Sequence, residues 1–481
     1  MTTPFLTPDF LLDTHQARLL YHEYAADLPI IDSCSRLRPE LVVSDHCFAD
    51  LSDVLLIGDG DKQLAMRAFG VEGKTGWDAF SAWVGVMPQL LGSPLYHRTY
   101  LELHRLFGLK DVQLDHQTAE RTWSVCNTML ASSSFGMRGL LKRMQVEVIC
   151  TADDPIDRLD HHRQLAADSS CLVRVFPSWC PERACSLVNV EAFTAYCEHL
   201  GASVGHYIGS FCDLLAALSV RHDYFHAHGC RLSNHDLAFF PANPASDDEA
   251  EDIFLRVRSG RRVTVDKVER FYARMLLELA QLDHAKGWVQ QFHLGRYRHA
   301  MAGMMGQEEE GNGSYRTEAK SVFGLASFLS RLNDLGRFPH TIIHSLPMSG
   351  DEAIVALCRD FRDDLEAGCI RFGAGWSGCD RLDVMTRRIR MIAESDHLSQ
   401  LVGPASDSGS ISGLVRHDYF RRLLCRVLGQ DMANGLLPDD EELVGRLVAD
   451  VCYGNAQRNF RFPQRKWGVH DAASQRMLCK G

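Results

Sequence analysis

The sequence predicts an α/β protein whose strands close into a (β/α)8 TIM barrel. Three observations carry this: eight short β-rich runs recur along the chain, longer amphipathic segments separate them, and each run ends in a polar residue or a Gly or Pro signal. Each parallel step needs a crossover, and eight strands enclose an interior that side chains can fill. A doubly wound open sheet is the alternative architecture.

In chain order the runs are 28–35 (LPIIDSCS), 146–151 (VEVICT), 172–177 (LVRVFP), 229–234 (GCRLSN), 288–294 (WVQQFHL), 341–346 (TIIHSL), 370–374 (IRFGA) and 401–406 (LVGPAS). Segments 190–217 and 265–286 read as helices, and so does 351–365, with its Asp cap, acidic first turn and 3–4 apolar spacing. About 110 residues separate the first two runs, too many for one crossover helix. Within them 77–106, with Trp77, Phe80 and Trp83 three apart, reads as helical. The expected division is therefore an N-terminal helix and first strand (1–37), a helical insertion (38–140) beside the barrel mouth, the remainder of the barrel (141–462) and a tail (463–481). Segments 241–251 (PANPASDDEAE) and 307–315 (QEEEGNGSY) read as exposed loops. Beyond the eighth run, 416–429 and 439–452 read as helices, the second opened by Asp439-Asp440-Glu441-Glu442.

Composition narrows the function classes. With 481 residues, 46% hydrophobic and 23% charged, the chain can bury a core without a partner. The net charge of −11 argues against a phosphate-tracking nucleic-acid surface and gives no sign of a polybasic membrane anchor. The 16 cysteines are scattered without a CxxC, and no basic, apolar leader opens the chain. The expectation is a reduced, cytoplasmic protein whose thiols are mostly small buried hydrophobes.

Active sites in such barrels sit at the carboxyl ends of the strands. Those ends are chemically rich: Asp32, Cys34 and Arg36 at the first, Cys150, Thr151 and Asp153 at the second, Trp179 and Cys180 beyond the third. Asn234 and His235 close the fourth, His293 the fifth with Arg298 beyond, His344 the sixth, Trp376 the seventh and Asp407 the eighth. His293, His344 and Asp407 could converge on a Zn²⁺ or Mn²⁺ ion, although a strand-end His is often only a hydrogen-bonded structural residue.

Several longer strings resemble the uronate isomerase family of the amidohydrolase superfamily: LLDTHQARLLYHEYAADLPIID (11–32), GDGDKQLAMRAFG (58–70), GCRLSNHDL (229–237), KGWVQQFHLG (286–295), FGAGW (372–376) and SDSGSISGLVRHDYFRRLLC (406–425). The resemblance spans the chain up to about residue 462. It implies a barrel of the metal-dependent hydrolase type and isomerisation of D-glucuronate and D-galacturonate to ketohexuronates, by a proton passed between C2 and C1. It also implies a divalent metal held by a first-strand His-x-His pair and a last-strand Asp.

Against that pattern the sequence departs at several points. The family's D-Y-H-C-H-L is similar to Asp32-Ser33-Cys34-Ser35-Arg36-Leu37, which puts Cys34 and Arg36 at the two ligand histidines. A guanidinium stays protonated and has no lone pair for a metal. The family's G-D-H-Y-K-W-R is Gly58-Asp59-Gly60-Asp61-Lys62-Gln63-Leu64 here, Cys180 stands for a carboxylate-binding Arg, and Gly409 for the Arg of D-S-R. The resemblance thus implies a scaffold kept better than its chemistry, and three readings follow. In one, isomerisation persists, weakly, through a rebuilt Zn²⁺ site of Cys34, His293, His344 and Asp407, with catalytic work on Asp407, His293 and Arg36. In the second, the barrel is a non-catalytic or repurposed binder with no metal. The third, another amidohydrolase reaction, also needs a metal-activated water. Arg298 is expected to hold a substrate carboxylate or to form an ion pair with Asp153 or Asp407, Trp376 to stack on a sugar face or pack in the rim, and His235 to contact substrate or be a hydrogen-bonded rim residue. A hexuronate is the expected small-molecule partner, with no nucleic acid or membrane, and the sequence leaves homo-oligomerisation open.

Overall fold

Seven parallel strands pair in sequence order: β1 (Ile30–Ser35), β2 (Val146–Asp153), β3 (Arg174–Trp179), β4 (Leu232–Leu237), β5 (Val289–Leu294), β6 (His340–Ser345) and β7 (Ile370–Phe372). The computed structural model describes residues 5–110, 112–295, 313–345, 351–361, 369–375, 381–395 and 397–464. The first seven expected runs coincide with these strands to within a few residues.

The eighth does not. Residues 401–406 form no regular strand. Pro404 has no N–H for a ladder, and Asp407 bends the chain with φ +46° in the left-handed region. The segment nevertheless lies along β1. The Ser406 N–H donates to Asp32 Oδ1 (2.8 Å), the Asp407 N–H to the Cys34 carbonyl (2.9 Å) and the Arg36 N–H to the Ser408 carbonyl (3.0 Å). A buried aspartate thus takes over part of what backbone pairing does elsewhere in the sheet.

Period-2 alternation orders the barrel interior. Ile31, Val148, Leu232, Val289 and Ile342 form an apolar layer that Phe460 and Phe462 close from below. Two residues on, the same inward faces carry Ser33, Asn234, Gln291 and His344, and two further on β4 and β5 reach Asp236 and His293. The polar layers therefore lie toward the carboxyl ends, on an apolar floor.

The helices follow the expected pattern with informative breaks. Segment 190–217 is two helices, because Gly205 (φ +71°) ends the first and a Ser210/Asp213 capping box starts the second. Segment 77–106 likewise splits at Gly92 (φ +84°), with Ser93 capping a new helix that opens on Pro94. Part of the expected loop 241–251 is helical: Ser246 and Glu249 form a capping box on the helix Asp247–Arg258. Of 307–315, residues 307–312 lie outside the described residues, and the helix Gly313–Asp334 begins in the remainder. The helix expected over 351–365 is described as Asp351–Asp360.

Helices between β1 and β2 bury Phe80, Trp83, Leu103 and Leu106 in one apolar cluster with Leu423, Leu424 and Leu428 of the helix Val415–Ala433. Close packing beside the mouth depends on Gly58 (φ +80°): a Cβ there would lie 2.6 Å from the Gly409 carbonyl carbon. Among the described residues no helix is long and apolar enough to cross a membrane.

Candidate functional site

The inward side chains at mid-depth form a branched hydrogen-bonded network. Gln291 is its hub: its amide nitrogen donates to the Ser33 carbonyl (3.3 Å) and to Asn234 Oδ1 (3.1 Å). Its amide oxygen accepts from the Ser33 hydroxyl and from His344 Nε2, each at 3.3 Å. Asn234 Oδ1 also accepts from His293 Nε2 (3.0 Å), and its amide nitrogen donates to Ser178 Oγ (3.0 Å). With amide oxygens as acceptors, both histidines carry their proton on Nε2. Burial, then His293 and Arg388, pushes His344 well below the ordinary histidine range, so its ring is neutral. The rings of His293 and His344 stack, with centroids 4.8 Å apart and planes 5° from parallel.

Above this network lies Arg36. Its Nε–H donates to Asp407 Oδ1 and its Nη2–H to Asp236 Oδ2, each at 2.9 Å. The guanidinium side chain is 43% exposed, whereas Asp407 is 1% and Asp236 11% exposed. Burial works against the charge, but Asp407 and then Asp236 outweigh it and hold Arg36 protonated above its ordinary range. The Asp236 N–H donates to Glu182 Oε1 (3.2 Å), and burial with the neighbouring Asp236 charge pushes Glu182 up to about 8. Cys180 is raised well above the usual thiol range, chiefly by burial and then by Glu182.

The cup thus brings together Arg36, Asp407, Asp236 and Glu182 over His293 and His344, with Cys34 buried at the end of β1. Three expectations need correction. His235 does not line this cup. Residues 232, 234 and 236 of β4 face inward, so His235 faces the helical layer, where its Nε2 meets Ser233 Oγ (3.1 Å) and its ring packs on Phe292. Burial pushes it down to about 4, and it stays neutral. Second, the proposed ligand set does not fit an ion. Asp407 is engaged by a guanidinium, His293 and His344 direct protonated Nε2 atoms at amide oxygens, and parallel rings do not aim their in-plane lone pairs at one point. Among the described residues no three His, Cys, Asp or Glu side chains group as a metal site. Third, the eighth strand end is an irregular turn. Arg298 and Trp376 lie outside the described residues.

Sequence reasoning missed Asp236, Glu182 and Gln291 as site residues. The signal for two of them was present: alternation from Leu232 and Val289 places Asp236 and Gln291, not His235, on the inner face.

Beside the cup, the Thr151 hydroxyl lies 2.7 Å from both Asp153 Oδ2 and His162 Nε2. Burial pushes Asp153 up to about 7 and His162 down to about 4. A carboxyl raised in the folded state favours folding below its unfolded value of about 3.9 and withdraws that stability as pH rises through about 7. Asp153→Asn is therefore expected to raise the thermal midpoint at pH 8, by a free energy of up to about 4 kcal/mol, and to leave it unchanged near pH 4. Thermal unfolding at the two pH values checks this, and equal shifts at both would count against it.

The glucuronate isomerase family model matches residues 1–460. The uronate isomerase of Cellvibrio japonicus is 41% identical over 471 residues, covering 95% of this chain and 99% of that protein. The uronate isomerase of Bacteroides thetaiotaomicron is 38% identical with the same coverage. Among solved structures, uronate isomerase from Thermotoga maritima superposes with a TM-score of 0.83 at 27% identity, covering 95% of this chain and 99% of that one. Glucuronate isomerase from Caulobacter crescentus, at 22% identity and a TM-score of 0.81, covers 95% and 96% and shares the fold. With its parallel curled sheet and a family match over nearly its whole length, the chain belongs to the uronate (glucuronate) isomerase family.

Proposed function

We propose that this chain is a uronate isomerase homologue in which aldose–ketose isomerisation of D-glucuronate and D-galacturonate is weak or lost, while the mouth keeps a polar cup around Arg36. The observation that supports this is the Arg36 guanidinium paired with both Asp407 and Asp236. The resemblance puts a divalent ion at this place, and the residues present do not fit one. Asp407 is held as an ion-pair partner, and His293 donates from Nε2 to Asn234, which leaves that nitrogen unable to accept a substrate proton. Arg36 keeps an edge, Nη1, that is not used in its two carboxylate contacts, and this edge can donate to a substrate oxygen or carboxylate. The cup is thus suited to binding and orienting a sugar acid more than to moving its proton.

Loss of several members of a catalytic unit costs orders of magnitude. In a coupled assay for glucuronate isomerisation, kcat/KM is expected to lie at least about 10³-fold below that of the Cellvibrio japonicus relative, with or without added Zn²⁺ or Mn²⁺. Turnover within about tenfold of that relative would overturn the proposal. Saturable hexuronate binding without turnover is the outcome expected if the barrel acts as a binder.

A further inference from the structure

We infer that Arg36 is a built-in cation: its guanidinium takes the structural place of a divalent ion, tying the ends of β1 and β4 to the turn at Asp407, so that the cup is complete without metal. This rests on the family reading for where an ion would sit; the geometry is this chain's own. Asp407 and Asp236 approach one another from elements far apart in sequence, and both are largely withdrawn from solvent. Two such carboxylates repel one another and have lost much of their hydration, so a cation between them stabilises the joint. Arg36 supplies it through two separate N–H groups, one per carboxylate, each at 2.9 Å. A planar fork fixes the separation of its two partners, which a lysine's point charge would not.

The backbone supports the same joint. The Asp407 N–H donates to the Cys34 carbonyl and the Arg36 N–H to the Ser408 carbonyl, so residues 36 and 407 are linked through main chain and side chain together. Asp407 adopts φ +46°, a conformation that costs a non-glycine residue and persists where its surroundings hold it. With the guanidinium removed, Asp407 Oδ1 and Asp236 Oδ2 would lose the counter-charge they share, and carboxylate oxygens suit a hard ion such as Mn²⁺.

The test uses the full chain, with thermal unfolding in EDTA or about 1 mM Mn²⁺ and metal content by mass spectrometry. The parent is expected to hold no stoichiometric metal and to shift by less than about 1 °C between the two conditions. Arg36→Ala is expected to lose about 5 °C or more in EDTA and to regain at least half of that in Mn²⁺. The double variant Arg36→Ala, Asp236→Asn removes the repulsion; it is expected to regain stability in EDTA and to ignore Mn²⁺, which keeps the test decisive if the single variant does not fold. Stoichiometric metal in the parent, with a midpoint that rises on Mn²⁺ addition, would overturn the inference. So would an Arg36→Ala protein that loses nothing, or a double variant as unstable as the single one. None of these readouts is turnover, so an active parent would refute the proposed loss of isomerisation and leave this inference standing.

Discussion

Lys62→Met is expected to lower global stability by about 3–5 kcal/mol, measured by denaturant unfolding at pH 7. Lys62 lies in the first turn of the helix Gly60–Ala68 that Asp59 caps, and its side chain is fully buried. Its Nζ donates to the Leu55 carbonyl (2.8 Å) and to the Glu102 carboxylate, and it lies 3.7 Å from Asp59 Oδ2. Arg98 Nη2 approaches the same Asp59 oxygen (3.1 Å), and its Nη1 reaches Asp61 (3.3 Å). Arg416 joins Asp61 to the Ser406 carbonyl (2.5 Å), one residue before Asp407. Three cations and three carboxylates balance in a nearly dry space. Removing one cation leaves Glu102, already pushed up by burial against the pull of Lys62 and Arg98, without its nearest counter-charge. Its carboxyl then protonates more readily, so the loss should shrink as pH falls toward 5. A Lys62→Met, Glu102→Leu double variant should recover most of the stability, because apolar residues of similar size replace buried ion pairs at little cost. A fall below about 1 kcal/mol for the single variant would show the network to be solvated rather than dry.

The Cys34→His, Arg36→His double variant is expected to bind one Zn²⁺ or Mn²⁺ per chain and to raise isomerase turnover at least about tenfold over the parent. It replaces the charge that occupies Asp407 by a neutral donor and restores the first-strand His-x-His spacing that the family resemblance implies. Once freed from the guanidinium, Asp407 faces the same strand end at a spacing already set by the backbone links to Cys34 and Arg36. Turnover should still fall short of active relatives. Gly60 and Asp61 stand where the resemblance implies a His-Tyr pair, and Asp61 is committed to Arg98 and Arg416. Cys180, a thiol held protonated by burial, cannot do the work of an arginine. Metal content and the coupled assay check the two halves separately. A variant that takes up no metal would mean that the cup is held shut by more than Arg36.

Much of this organisation was legible in the sequence because strand position and strand-end chemistry are local properties. Seven of the eight β-rich runs form strands, and the helix expected over 265–286 is found as Val265–Lys286, ended by Gly287 at φ +65°. The eighth run failed for a reason visible in its own residues, Pro404 and the turn at Asp407. Apolar spacing alone does not separate two helices where a glycine in the left-handed region interrupts it and the spacing continues on both sides, as at Gly205. The permanent charge of Arg36, at a place where the resemblance implies a histidine, was equally readable from the sequence.

What the sequence by itself determined is the barrel and the family, together with an arginine at the end of the first strand. The tertiary structure alone decided the partners. Arg36 meets Asp236 and Asp407 across 200 and 371 residues of chain, and Gln291 joins Ser33, Asn234 and His344 from three other strands. Such encounters depend on sheet register and barrel closure, where a shift of one residue exchanges Asp236 for His235 in the cup. No local pattern encodes that choice, because the free energy that fixes it comes from packing every strand against its neighbours at once.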